Sequence, residues 1–206
     1  MSILPRELLN QPSYEVAPSL LGCRLIHDTA EGRVSVELSE VEAYEGLRDP
    51  ASHAFGGQTP RNRPMFGPAG VLYVYFSYGM HWCANIVTGP DGDASAVLLR
   101  GGRVIVGIDL ARQRRGTVAE RGLARGPACL TQALGIAGEH NGVDLLAGGE
   151  LRLETTTAKP AEVAAGPRVG VSCAAEFPWR FWVTGDETVS AYRRSPRVRG
   201  VTVREP

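Results

Sequence analysis

Alternation of the kind that builds a β-strand runs from Arg33 to Tyr44. Val34, Val36 and Leu38 share one face, and Arg33, Ser35, Glu37 and Ser39 share the other. Continuing the apolar parity delivers Glu40, Glu42 and Tyr44 to the core-facing row. An ionised carboxylate is costly to bury unless it is paired or serves chemistry. Two readings follow: the carboxylates enter a cavity at the strand's end, or a bulge after Leu38 turns both to solvent and puts Val41 and Ala43 inside. A second run, Val71 to Met80, sets Leu72, Val74 and Phe76 on a core face and Tyr73 and Tyr75 opposite, with Tyr78 beside the turn residue Gly79. Flat rings with polar tips can stack on a base or sugar, and cross-strand aromatic packing is the other reading. The neighbouring Gln58-Thr59-Pro60-Arg61-Asn62-Arg63 favours a binding face. There is no G-x-G-x-x-G, P-loop or G-x-S-x-G, so nucleotide cofactors and serine hydrolase chemistry lack support. A carboxylate, tyrosines, a histidine and arginines suit hydrolysis at a sugar carbon, where the carboxylate activates water against an oxocarbenium-like transition state.

The elements that must position these residues can be read coarsely. Glu15–Leu21 reads as a short helix, stopped at Gly22 and strained by Pro18. Cys23–His27 and Arg33–Tyr44 read as strands joined at Glu31-Gly32, and Gly70–Tyr78 with His81–Val87 as a second hairpin. Ser95–Leu99 is a further strand. Val104–Arg115 and Pro127–Leu134 read as helices, and short strands are expected near Leu151, Val169 and Phe181. Runs of strands with few crossover helices favour an α+β fold: one domain over residues 1–206, with a mostly antiparallel curved sheet, a protruding hairpin and surrounding helices.

The chain has 206 residues, 43% of them apolar and 21% charged, an ordinary globular composition with ample length for a core. No window approaches the ~18–20 apolar residues of a membrane span, and the N-terminus lacks a signal-peptide pattern, so a cytoplasmic protein without a membrane partner is expected. Cys23, Cys83, Cys129 and Cys173 stand far apart, which favours free buried thiols over a metal site or disulfides. No cofactor is expected. The 22 basic and 22 acidic residues cancel, but unevenly. Residues 1–49 hold nine acids against four bases, 100–126 hold seven arginines against two acids, and 193–204 hold five arginines and no acid. The two arginine segments read either as one phosphate-meeting patch or as solvated surface.

At these residues the sequence resembles the alkyladenine (3-methyladenine, methylpurine) DNA glycosylases. The blocks Val41-Glu42-Ala43-Tyr44, Asp49-Pro50-Ala51-Ser52-His53, Gln58 to Arg63, Met65-Phe66 and Leu72 to Met80 carry the resemblance. Cys83-Ala84-Asn85, Val97-Leu98-Leu99-Arg100, Gly126-Pro127, Gln132-Ala133-Leu134, Arg168-Val169-Gly170-Val171 and Arg180-Phe181 continue it in family order. The resemblance implies that Glu42 deprotonates a water for attack on C1′ of a flipped nucleotide, with Arg100 helping to hold that water. It implies a base pocket of Tyr44, His53, Tyr75 and Asn85, with Asn85 crowding the 2-amino group of normal guanine. Tyr78 corresponds to the wedge that fills the vacated stack, Met80 braces the neighbouring pair, and Arg61 and Arg63 are candidates for backbone contacts.

The implied partner is double-stranded DNA containing damaged purines, bound by a monomer. Lys159 is the chain's lone lysine, so a water nucleophile is expected rather than a Schiff base with strand cleavage. The chain departs from the family at Pro18-Ser19, where Ala-Arg is common, and at His81-Trp82. Two rival readings remain at this level: a lesion- or RNA-binding module without turnover, and an N-glycoside hydrolase of free nucleosides.

Overall fold

The computed structural model describes residues 2–77, 79–156, 160 and 162–197. Its axis is a 13-residue strand, Gly32–Tyr44, which we call β3. Two short strands precede it in the chain, β1 (Ser2–Ile3) and β2 (Arg24–Thr29). The second hairpin is β4 (Leu72–Ser77) and β5 (His81–Val87), followed by β6 (Ala96–Val106), β7 (Leu151–Thr155), β8 (Val163–Gly166) and β9 (Arg180–Val183). The order β1-β7-β2-β3-β6-β5-β4 forms one curled sheet, with β9 and β8 added beside β3. Every ladder among the described residues is antiparallel. With three helices, α1 (Ser13–Leu20), α2 (Ile108–Arg115) and α3 (Pro127–Leu134), this is the expected α+β architecture.

β3 changes partners along its length. Its first half pairs with β2, and Glu40–Glu42 pair with β9, while β6 follows the opposite edge from Ser35 to Tyr44. The changeover falls on an irregular stretch. Leu38 is opposite Gly102 and Glu40 opposite Gly101, so Ser39 is an extra residue on β3; Val41 then pairs with Leu99, so Arg100 is extra on β6. The first bulge reverses which parity faces the main core. Val34, Val36 and Leu38 precede it and Val41 and Ala43 follow it, all within one apolar cluster. The bulge reading was right about Val41 and Ala43 and wrong about the acids, because Glu40 and Glu42 are both fully buried on the other face.

Several sequence expectations shift. The helix predicted from Glu15 begins at Ser13, where its first N–H meets the Glu45 carboxylate at the end of β3. β6 does not stop at Leu99 but runs through Gly101-Gly102 to Val106, so the helix expected from Val104 starts at Ile108. The glycine pair looks like a strand terminator; it is instead what permits close pairing, since a Cβ on Gly102 would lie 2.4 Å from the Glu37 carbonyl. No strand includes Val169; β8 lies earlier and Val169 sits in the loop after it. Phe76, expected in the core, is 44% exposed and leans on Trp82 near the hairpin tip.

α1 packs on β3 and β6, and α3 packs on β5, β6 and β3. A smaller cluster covers the opposite face with Ala54, Met65, Tyr73, Val87, Ala94 and Ala96. No helix among the described residues is long and apolar enough to cross a membrane.

Candidate active site

One rung of the sheet organises the site. Glu42 on β3 is opposite Leu98 on β6, Leu98 is opposite Asn85 on β5, and Asn85 is opposite Tyr73 on β4. Cross-strand partners share a face, so these residues lie in one row on the side away from the main core. Tyr44, Tyr75 and Cys83 stand on the same face by parity. Register thus brings together the sequence-predicted residues of β3, β4 and β5, while Arg100 joins them from the bulge on β6.

Glu42 is fully buried, yet each of its oxygens is partnered. Oε1 accepts the Val169 backbone N–H at 2.6 Å, and Oε2 accepts the Tyr44 hydroxyl at 2.9 Å and Arg100 Nη1 at 3.2 Å. Val169 can donate because it lies in a loop outside any ladder. Arg100 is itself clamped: Nε donates to Glu40 Oε1 at 2.9 Å and Nη2 to Ser190 Oγ at 3.3 Å. Burial opposes the charge on Arg100, but Glu42 and Glu40 outweigh it and raise the pKa further, so the guanidinium is permanent. The Tyr44 hydroxyl is pushed well above its usual value by burial and then by Glu42, and remains a donor.

Beside this cluster lies a cavity of about 580 Å³ lined by Tyr44, His53, Arg61, Tyr75, Arg100 and Val169, among others. It is within the range of small-molecule sites, roughly 300–1,000 Å³. A recess of about 80 Å³ between Tyr44, His53, Tyr73, Tyr75 and Asn85 opens next to it. Tyr44, Arg100 and Val169 front the cavity and Glu42 lies behind them. His53 stands edge-on to Tyr75, with centroids 4.4 Å apart, and its Nδ1 is 3.2 Å from the Tyr73 hydroxyl. His53 is an exposed residue, yet desolvation of its ring, and then Arg61, lowers its pKa and favours the neutral imidazole. Burial raises the Tyr75 hydroxyl far above its usual value. Asn85 is buried and donates to the Tyr73 carbonyl at 3.1 Å, which fixes the amide at the back of the recess. Tyr73 packs in the small cluster instead of facing a ligand broadside, so cross-strand packing is the better account of it.

The expected DNA-facing residues divide. Tyr78 lies outside the described residues. Met80 is 66% exposed at the tip of the β4–β5 hairpin. Arg61 does more than border the site: Nη2 bonds the Phe76 carbonyl at 3.0 Å and Cζ sits 5.7 Å from the Tyr75 ring centroid. Arg63 is exposed and opens a short 3₁₀ turn, Arg63–Phe66. The arginine segment 100–126 does not form a free patch. Arg103 pairs with Asp186, Arg112 with Asp109 and Glu120, Arg114 with Glu31, and Arg115 caps the Leu123 carbonyl.

Residues quoted only as parts of motifs prove structural to the site. Arg168 and Asp49 form a completely buried pair, with Nη2–Oδ1 at 2.9 Å. The Arg168 guanidinium lies over the Tyr44 ring at 4.6 Å and over Trp179 at 5.2 Å, backing the wall that faces the cavity. Glu40 stood out in the sequence as an anomalous carboxylate beside Glu42 but received no role, Arg180 entered only within a motif, and Ser190 carried no local signal.

The family model for "Methylpurine-DNA glycosylase (MPG)" matches residues 7–187. A protein of Cutibacterium acnes named "Putative 3-methyladenine DNA glycosylase" is 53% identical over 192 residues, covering 90% of this chain and 98% of its own. Proteins with the same printed name from Leifsonia xyli subsp. xyli and Nocardia farcinica are each 50% identical, covering 95% and 100% of this chain. The sheet rung, the buried carboxylate and the match over 7–187 agree: the chain belongs to the methylpurine-DNA glycosylase family, a DNA repair hydrolase of N-glycosidic bonds.

Proposed function

We propose that this DNA glycosylase acts as a monomer on alkylated or deaminated purines of the 3-methyladenine, 7-methylguanine, hypoxanthine and ethenoadenine class, flipped out of duplex DNA. The observation that carries the reading is Glu42: a fully buried carboxylate bonded by Tyr44, Arg100 and Val169, three residues that line the cavity. A base inside a duplex is out of reach, so it must be extruded at a cost of about a few kcal/mol. Tyr44, His53 and Tyr75 offset that cost by stacking, with Asn85 narrowing the recess against an exocyclic 2-amino group. The His53 backbone N–H reads the base edge, and Tyr78 and Met80 hold the opened stack.

The chemistry follows from the partners of Glu42. A water entering between Tyr44, Arg100 and Val169 gives its proton to the Glu42 carboxylate while its oxygen bonds to C1′. The N-glycosidic electron pair leaves with the base, and the carboxylate steadies the positive charge that develops on the sugar. A cationic alkylpurine departs as a neutral base. A neutral lesion requires a proton from solvent, since the Tyr44 and Tyr75 hydroxyls are held far above their usual acidity range and His53 is kept neutral. The electron-rich rings also favour the cation. A water nucleophile leaves the strand uncut.

The test is base release from duplex oligonucleotides carrying each lesion, with free inosine as a control. Expected are abasic sites without strand cleavage, formed fastest at cationic purines. Release from free inosine outpacing release from DNA, or full activity in Glu42→Gln, would overturn the reading.

A further inference from the structure

Glu40 is a fully buried carboxylate with no step of its own in that reaction. Its Oε1 accepts Arg100 Nε at 2.9 Å, Arg180 Nε at 2.8 Å and the Ser190 hydroxyl at 2.9 Å, and its Oε2 accepts the Ser190 backbone N–H at 2.7 Å. Arg180 Nη2 continues to the Ser190 carbonyl at 2.7 Å. Burial alone would raise the Glu40 carboxyl, but Arg100, the Ser190 amide and Arg180 outweigh it and hold it below the usual carboxylate range. Two carboxylates, Glu40 and Glu42, thus face two guanidiniums, Arg100 and Arg180, and the buried charge balances.

Ser190 lies beyond the family-matched segment, which ends at 187. The residues around it tie the C-terminal segment across both sides of the site. The Thr188 hydroxyl meets Ser39 Oγ at 2.6 Å on the bulge of β3. Arg125 Nε donates to the Val189 carbonyl at 2.8 Å, and the Gly170 N–H donates to the Arg193 carbonyl at 2.9 Å, next to the Val169 that holds Glu42.

The geometry at Arg100 is what this clamp controls. Each guanidinium nitrogen has a different partner: Nε faces Glu40, Nη1 faces Glu42 and Nη2 faces Ser190. Released from Glu40 and Ser190, the same fork would favour the bidentate carboxylate geometry on Glu42 and occupy the lone pairs a water must use. We infer that Glu40, locked by Ser190 of the C-terminal segment, is a positioning residue that holds Arg100 to a single contact with Glu42 and so keeps that carboxylate open to water. This inference rests on the reading of Glu42 as the general base.

The test compares single-turnover base release with duplex affinity in wild type, Glu42→Gln, Glu40→Gln, Glu40→Asp and Ser190→Ala, using a duplex with one alkylated purine for the rate and one with a stable abasic analogue for the Kd. Expected for Glu40→Gln is a rate about 10–100-fold lower at unchanged Kd, because displacement of a reacting group by an ångström costs on that order. Glu40→Asp recovers part of the rate, and Ser190→Ala loses several-fold in the same direction. A folded Glu40→Gln with the wild-type rate, or one whose rate falls only in step with its Kd, overturns the inference while leaving Glu42 untouched. If Glu40→Gln does not fold, a wild-type rate in Ser190→Ala overturns it alone. A wild-type rate in Glu42→Gln sinks the parent reading instead, and is a different result.

Discussion

From Glu40 to Ala43 the two faces of β3 are equally dry and are held by different physics. On one, Val34, Val36, Leu38, Val41 and Ala43 sit at 0–1% exposure and need no partner but one another. On the other, Glu40 and Glu42 are as deeply buried and each of their oxygens is bonded. The apolar face gains stability in proportion to area removed from water and tolerates changes that preserve volume. The polar face gains little net stability from its pairs, since desolvation offsets most of their attraction. What it gains is orientation: a carboxylate and a guanidinium that stay in place as a substrate arrives. One face makes the strand stay, and the other makes it work.

The comparison predicts that damage on the two faces will separate. The largest effect belongs to the polar face: Glu42→Gln should lower single-turnover base release per folded molecule by about 10²–10⁴-fold, as expected for loss of a general base, and should also lower the melting temperature, since it leaves the buried Arg100 charge partly uncompensated. A rate per folded molecule that stayed near wild type would erase the distinction. Next comes the core face. Leu25 on β2 is fully buried opposite Val36, and Leu25→Ala should cost about 2–5 kcal/mol in chemical denaturation while the rate per folded molecule stays near wild type.

Smaller still is Tyr75→Ala, at the border of the two environments. It should weaken capture of the flipped base by about 1–3 kcal/mol, read as a higher Kd for lesion over undamaged duplex. Equal loss for both duplexes would remove Tyr75 from the base pocket. The smallest effect is one of pH. His27 is buried, with Nδ1 2.8 Å from the Leu134 carbonyl, and burial first, with His140 and Arg114, lowers its pKa below 6.5. The unfolded chain therefore takes up a proton first as pH falls. Stability from His27 is complete above about pH 6.5 and is lost as pH drops toward the folded value. His27→Gln should flatten that slope in melts between about pH 7 and 5, and an unchanged slope would remove His27 as its source.

Much of the fold was legible because its signals are local. Alternation marked β3 and β4, and Gly126-Pro127 marked the start of α3, where Gly126 takes φ 103° and proline follows at the first helical position. What alternation could not show was where it breaks. A single extra residue at Ser39 swaps the faces, and nothing in Leu38-Ser39-Glu40 distinguishes a bulge from a straight strand. The glycine pair 101–102 misled for a related reason: glycine ends strands and also permits close pairing, and the difference lies in the neighbour. Charge counting left the arginine segments open between a patch and solvated surface; most partners of residues 103–115 lie far along the chain or on other elements, and residues 198–204 of the second segment lie outside the described residues.

The sequence by itself determined the residue types and their order: carboxylates spaced by two, tyrosines opposite an apolar row, an arginine following Leu98-Leu99, and motifs specific enough to place the chain in a family. Only the tertiary structure decided which side of the sheet the carboxylates face and what holds them. Side-chain direction in a strand has period two, so one bulge reverses it. The partners of Glu40 stand 140 and 150 positions away, at Arg180 and Ser190, and the Arg168–Asp49 pair spans 119. Contacts over such separations leave no local pattern, because they exist only once the whole sheet has closed around them.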